Sequence, residues 1–120
     1  MEDFYKYIEH ERLSKWGKDF VFMEMEGKAV GRVYIYDDEK EVAYIEGLHV
    51  SEKERLKGLG GNLLNILIDK CKKLGAKRCV LWCYKESWTY EWYQKIGFKY
   101  LDEYKDDMDA VWMFMDLINN

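Results

Sequence analysis

Between residues 42 and 84 the chain changes its hydrophobic period twice, and that change constrains the fold more than any other feature. Val42 to Val50 reads as a strand. Ser51 to Lys57 is polar and charged, and Gly58-Leu59-Gly60-Gly61 follows. Leu63, Leu64, Ile66, Leu67, Ile68, Cys71 and Leu74 then recur at helical spacing, and Gly75 marks the stop. Cys79 to Tyr84 is a nearly unbroken apolar run, the pattern of a strand buried on both faces. A strand, a glycine loop, a long helix and a buried strand in that order place the chain among the α/β folds.

The flanking segments extend this unit. Phe4, Tyr7, Ile8, Leu13 and Trp16 predict a helix over residues 3–16, stopped by Gly17. Phe20–Met25 and Val30–Tyr36 predict a hairpin across Glu26-Gly27-Lys28, and Val42–Val50 continues it as an antiparallel meander. A short helix is expected over residues 88–95, ended by Gly97, with a last pair of strands at Lys99–Tyr104 and Ala110–Leu117. The expected whole is a mixed, mostly antiparallel sheet flanked by helices. At 120 residues it makes one domain, 1–120. There is no proline, so glycine, aspartate and asparagine must make the breaks.

Composition narrows the function. A net charge of -4 argues against a nucleic-acid binder, which needs a basic face. No apolar run approaches the roughly 20 residues that span a bilayer, and the start has no signal-peptide pattern, so a cytoplasmic location and no membrane partner are expected. Cys71, Cys79 and Cys83 form neither a CxxC nor an even set. Cys79 and Cys83, four residues apart on one strand, would be about 13 Å apart, too far to bridge. Buried, reduced thiols and no metal site are the expectation. The acidic run Asp102–Asp109 reads as a solvated loop, or as a wall that gathers cations.

The glycine loop carries the first chemistry. The first amides of a helix lack partners within it, and the dipole there is positive. Glycines let a phosphate reach those amides. An anion site follows, suited to a di- or polyphosphate. Asn62 and Leu63 follow the glycines where a P-loop needs Lys then Ser or Thr. Leu63 also occupies the place of a dinucleotide fingerprint's third glycine. A turn that uses glycine only for its geometry is the alternative.

Arg55-x-x-Gly58-x-Gly60 resembles the Arg/Gln-x-x-Gly-x-Gly/Ala signature of the GNAT acetyltransferases. Leu48-His49-Val50 resembles the end of that family's fourth strand, and Tyr93-Gln94-Lys95-Ile96-Gly97-Phe98 its Tyr-x-Lys-x-Gly-Phe element. The resemblance spans roughly residues 18–118. It implies a GNAT-like acyl-CoA N-acyltransferase fold with a sheet splayed after the fourth strand, and acetyl-CoA as co-substrate. Backbone amides from Leu56 through Lys57, Gly58, Leu59 and Gly60 to Gly61, behind Arg55, would hold the pyrophosphate. The backbone at Leu48, His49 and Val50 would pair with the pantetheine arm. Glu86 stands where the family often has an asparagine touching that arm. The family's first strand and part of its first helical region have no match here, which leaves the acceptor pocket open, or completed by a second subunit in a homodimer.

Acetyl transfer needs a neutral amine, yet an alkylamine has a pKa of about 10.4. A carboxylate can hold the ammonium and take its proton. Glu46 is the candidate base, because Gly47 beside it suggests a bulge that re-aims its neighbours. The stretch Glu46-Gly47-Leu48-His49-Val50 is similar to the segment of aminoglycoside 6′-N-acetyltransferases in which that Glu faces the acceptor amine. The backbone N–H of Leu48 is placed for the oxyanion. Tyr93 matches the family's usual general acid. His49 should face away from Leu48 and Val50, and Trp88 or Trp92 could flank the acceptor slot.

The expected function is therefore transfer of acetyl from acetyl-CoA to a small-molecule or peptide amine, with a cationic acceptor suggested by the acidic residues. The alternatives are a catalytically inert CoA-binding regulatory module and a binder of another polyphosphate.

Overall fold

The computed structural model describes residues 7–24, 28–51 and 59–117. Seven strands form one sheet: β1 (Tyr7–Ser14), β2 (Gly17–Glu24), β3 (Ala29–Tyr36), β4 (Val42–Val50), β5 (Arg78–Tyr84), β6 (Lys99–Glu103) and β7 (Ala110–Asp116). Helix α1 (Leu59–Lys73) links β4 to β5, and α2 (Trp88–Ile96) links β5 to β6. The strand order is β1-β2-β3-β4-β5-β7-β6. Strands β1 to β4 form an antiparallel meander. Strand β5 runs parallel to β4 and antiparallel to β7, which pairs in turn with β6. The mixed α/β sheet with its two helices is the expected fold class.

The helix predicted over residues 3–16 is not there. Its described part, Tyr7–Ser14, is a strand paired with β2 from Tyr7↔Glu24 to Ser14↔Gly17 across the two-residue turn Lys15-Trp16. Of the described apolar positions that suggested a helix, Ile8, Leu13 and Trp16 are exposed, Leu13 to 74% and Trp16 to 62%, and only Tyr7 packs on the core. A helix there would have had little to cover. The ladder to β2 satisfies the backbone instead, and the ion pairs Arg12–Asp19 and Glu9–Lys70 tie the strand to β2 and α1. For the same reason β2 begins at Gly17, three residues before the predicted strand.

One face of the sheet carries the core. Phe20, Val33, Ala43, Ile45, Cys79 and Leu81 are buried there under Leu63, Leu64, Leu67 and Cys71 of α1. Gly31 permits the close approach. A Cβ at that position would lie 2.8 Å from the Leu67 Cδ1. All three cysteines are buried free thiols, as expected. Burial pushes the Cys83 thiol up to about 11, and a hydrogen bond with Cys79 raises Cys71.

The other face differs. Both helices lie on the core side, and among the described residues none covers the opposite side. Strand β5, expected to be buried on both faces, has Cys79, Leu81 and Cys83 inside and Val80 buried on the other face, but Trp82 is 41% and Tyr84 49% exposed. The open face carries a chain of rings. Tyr34 meets Tyr36 at 4.7 Å, Tyr36 meets Tyr44 at 5.2 Å and Tyr44 meets Trp112 at 6.1 Å. Tyr104 stacks on Trp112 at 5.3 Å and touches Trp82 at 5.0 Å. Edge-to-face contacts of this kind stabilise beyond the area they bury.

Candidate active site

Strands β4 and β5 pair only at Val42↔Arg78, Ala43↔Cys79 and Tyr44↔Val80. Beyond Tyr44 they diverge and open the expected slot. The cause lies partly in β4 itself. Its register with β3 runs through Arg32↔Glu46 and resumes at Val30↔His49, so Gly47 and Leu48 together oppose Gly31. Gly47 has φ +61°, the left-handed conformation that glycine adopts at no steric cost. The bulge expected at Gly47 is present. It moves Leu48 and Val50 onto the core face, where the Leu48 side chain approaches Gly31 and that of Val50 approaches Gly60. Glu46 and His49 are left on the open face, as their partners Arg32 and Val30 require.

Two cavities meet in the slot. The first, of about 360 Å³, has Leu48, His49 and Val50 on one wall, Gly60 and Gly61 at its end, and Trp88, Thr89, Trp92 and Tyr93 on the other wall. The second, of about 230 Å³, is lined by Ile45, Glu46, Gly47, Leu48, Leu81, Trp82 and Tyr93. Leu48 and Tyr93 line both.

The first cavity ends at the N-terminus of α1. No acidic residue lies in the first turn of that helix, while Lys70, Lys72 and Lys73 occupy its last. The positive end is therefore left uncompensated by side chains of the helix. Arg55, Leu56, Lys57 and Gly58 fall outside the described residues. Leu59, Gly60 and Gly61 form the first residues of the helix.

Tyr93 is held from two directions. Its carbonyl accepts the N–H groups of Gly97 at 3.1 Å and Phe98 at 2.9 Å, which ends α2 and turns the chain back. Phe98 is then 2% exposed and packs its ring 5.7 Å from that of Tyr93. The Tyr-x-Lys-x-Gly-Phe spacing thus anchors one tyrosine ring. Burial, and then nearby Cys83, push the Tyr93 hydroxyl up to about 12, so it keeps its proton at neutral pH.

Glu46 is not a lone carboxylate. Its Oε2 accepts a hydrogen bond from Arg32 Nη2 at 2.9 Å. Arg32 Nε lies 3.7 Å from Asp19 Oδ1, and Asp19 Oδ2 is bound by Arg12. Charges thus alternate across four strands of the open face. Glu46, before any other group, holds the Arg32 guanidinium above its ordinary value.

Leu48, His49, Val50, Gly60, Gly61 and Tyr93 are brought together, and Glu46 joins them through the second cavity. Glu86 does not. It is exposed and lines a neighbouring groove with Ser87, Trp88, Tyr90 and Gln94, which shares only Trp88 with the first cavity. Trp88 and Trp92 stand on the first cavity, away from Glu46. Sequence pattern did not single out Trp82 as exposed, nor Thr89 or Arg32 as site residues. The alternation of Cys79, Leu81 and Cys83 with Val80, Trp82 and Tyr84 is the signal for Trp82, hidden when the whole run is taken as apolar.

A splayed mixed sheet with a glycine-bearing helix start at the opening defines the class of acyl-CoA N-acyltransferase folds. Residues 1–98 match the model of the acetyltransferase (GNAT) family, and the chain belongs to that family. Among solved structures it is similar to a GNAT family acetyltransferase from Elizabethkingia anophelis with acetyl-CoA bound. Identity is 22% and the TM-score 0.72, over 92% of this chain and 98% of that one. It is similar also to a Bacillus subtilis acetyltransferase in complex with CoA (20% identity, TM-score 0.74, 95% and 99% of the two chains). Escherichia coli ElaA matches at 23% identity and TM-score 0.71, over 83% and 70%.

Proposed function

We propose that this protein transfers the acetyl group of acetyl-CoA to the nitrogen of an amine, in one step within a ternary complex. The observation that carries the reading is that Leu48 and Tyr93 line both cavities. A thioester delivered along the first cavity would meet an amine delivered through the second at those two residues. Membership of the GNAT family and the bound acetyl-CoA and CoA of the two similar structures support acetyl-CoA as the co-substrate. The pyrophosphate would rest on the amides at the start of α1, with Arg55 to Gly61 around it. The pantetheine arm would lie along β4 at Leu48, His49 and Val50, where β5 no longer pairs.

The amine nitrogen attacks the thioester carbonyl and forms the C–N bond of a tetrahedral intermediate, whose collapse breaks the C–S bond, and the second proton of the nitrogen replaces the one that Tyr93 gives up. The Leu48 N–H would stabilise the oxyanion. Glu46 would hold the ammonium and take its proton, directly or through water. Its bond to Arg32 is made by Oε2, which orients the carboxylate and leaves Oε1 for this task. Tyr93, protonated until well above neutral pH, would give its proton to the leaving thiolate. No acyl-enzyme is needed, and the buried thiols play no part. The acceptor is a small molecule or peptide, and Glu46 favours a cationic one. Similarity to aminoglycoside 6′-N-acetyltransferases at Glu46–Val50 points the same way. The test is release of free CoA thiol from acetyl-CoA over a panel of amines. Binding of acetyl-CoA with no release over a broad panel would overturn catalysis and favour a CoA-binding regulatory module.

A further inference from the structure

The open face holds a further hollow that this chemistry does not use. A groove of about 500 Å³ lies beside the acceptor-side cavity, walled by the rings of Tyr44 and Trp112 and rimmed by the carboxylates of Glu39 and Asp102. Its place is set by register. Tyr44 stands two residues before Glu46 on the same face of β4, and Trp112 is the cross-strand partner of Trp82. Each wall of the groove is thus one step from a wall of the acceptor-side cavity. Asp102 is there because of a second bulge. β6 pairs Tyr100↔Met113 and then Asp102↔Trp112, so Leu101 is the extra residue and Asp102 moves onto the face of Trp112.

The charge of the groove is one-sided. Arg78 also lines it, but its Nε is bound to Asp116 Oδ1 at 2.8 Å and its guanidinium lies 4.1 Å over Phe114. Arg78 is therefore matched, and Glu39 and Asp102 remain. Tyr44 donates its hydroxyl to Glu39 Oε1, which fixes that carboxylate at the edge of the ring. Aromatic faces bordered by carboxylates favour a cation, through the ring quadrupole and the charge together.

We propose that this groove binds a second cationic group of the acceptor, so that the substrate is a diamine or longer polycation. This rests on the acetyl-transfer reading for the first nitrogen. Two residues along a strand span about 7 Å, and the groove extends one strand further, so the two nitrogens should be roughly 7–10 Å apart.

The experiment pairs kinetics with binding. Steady-state rates are measured with α,ω-diamines of increasing length and with monoamines of matched length. Bis(trimethylammonium)alkanes, which have no N–H to acetylate, are titrated by calorimetry beside their mono-quaternary counterparts. The expected result is a KM minimum at the matching length, about tenfold below that of the monoamine, equivalent to about 1.4 kcal/mol. In Glu39→Gln/Asp102→Asn the ratio of kcat/KM for diamine over monoamine should fall about tenfold, and the bis-quaternary advantage should vanish. Both carboxylates are exposed, so the fold is not at stake. Equal KM for monoamines and diamines, or equal binding of the mono- and bis-quaternary ions, would overturn the subsite. A dimer that Trp112→Leu dissociates, with no dication binding, would show a second copy on this face and overturn it as well. Bis-quaternary binding lost in the double variant, without turnover of any amine, would uphold the subsite and sink the acetyl-transfer reading.

Discussion

The two cavities that meet at Tyr93 are made of different material. The first is built from the bulged end of β4, the glycines at the start of α1, and the rings of α2. The second is built around Glu46, which is tied through Arg32 to Asp19 and Arg12. A phosphate-bearing cofactor can be held by amides and a helix dipole, which every chain has and which glycines only need to uncover. Recognising an amine requires side chains with charge, and each must be brought in by its own strand. The contrast teaches that one site is local in sequence and the other is a product of register.

The largest effect should come from Gly60. A Cβ there would sit 3.4 Å from the Val50 side chain and 3.6 Å from that of Trp92, ordinary contact distances. Gly60→Ala should therefore fold and still bind. Gly60→Asp adds a carboxylate at the end proposed for the phosphates and should abolish the rise in Tm given by acetyl-CoA. An unchanged shift in Gly60→Asp would mean that the anion site is elsewhere, and the contrast between the cavities would fail at its first term.

Next is Tyr93→Phe, which keeps the ring against Phe98. Acetyl-CoA affinity should hold while kcat falls by about 10²–10⁴. The hydroxyl also leaves a thermodynamic trace. Its folded pKa is raised to about 12, above the ordinary value of about 10, so its contribution to stability is fully present below pH 10. That contribution is lost as pH climbs from about 10 to 12, where the unfolded chain ionises first. Denaturant melts at pH 9 and 11.5 should show a steeper loss for wild type than for Tyr93→Phe. Equal slopes would place the hydroxyl in water.

Glu46→Gln sharpens the acceptor side. It removes the charge proposed to hold the ammonium, so KM for a cationic amine should rise about tenfold or more at neutral pH. The rate deficit should shrink towards pH 10, where free amine is already present. A deficit that is constant with pH would remove Glu46 from proton transfer. Arg32→Met should give a smaller loss, about three- to tenfold, because it only releases the carboxylate from its fixed orientation.

The smallest effect belongs to His49→Ala. Its side chain lies on the open face opposite Leu48 and Val50, so the strand register turns the imidazole away from the first cavity. We expect kcat/KM within about twofold of wild type, since exposed substitutions away from such features rarely exceed ~0.5 kcal/mol. A loss beyond tenfold would bring the imidazole into the chemistry.

Much of the molecule is legible in the order of its residues. Strands β3, β4 and β5 and both helices lie within a few residues of where period and glycine place them. The Gly47 bulge follows from a local pattern, and the splay after β4 and the place of Tyr93 follow from the family resemblance. What is not legible has a common cause. Residues 7–14 look helical in isolation and become a strand because β2 offers an unpaired edge. Trp82 looks buried until it is clear that one face lacks a helical layer. The partnership of Arg32 with Glu46 and the meeting of Asp102 with Trp112 depend on which residue faces which across strands. A single bulge changes every such pairing beyond it.

The sequence by itself determined the end proposed for the cofactor: a helix start that carries Gly60 and Gly61, and a tyrosine locked by Gly97 and Phe98. These depend on backbone conformation over a few consecutive residues, which residue type controls directly. Only the tertiary structure decided the end proposed for the acceptor: the Arg12–Asp19–Arg32–Glu46 ladder and the aromatic groove beside it. Those residues lie far apart in the chain, and strand order and register, set by burial of the opposite face, bring them to one surface.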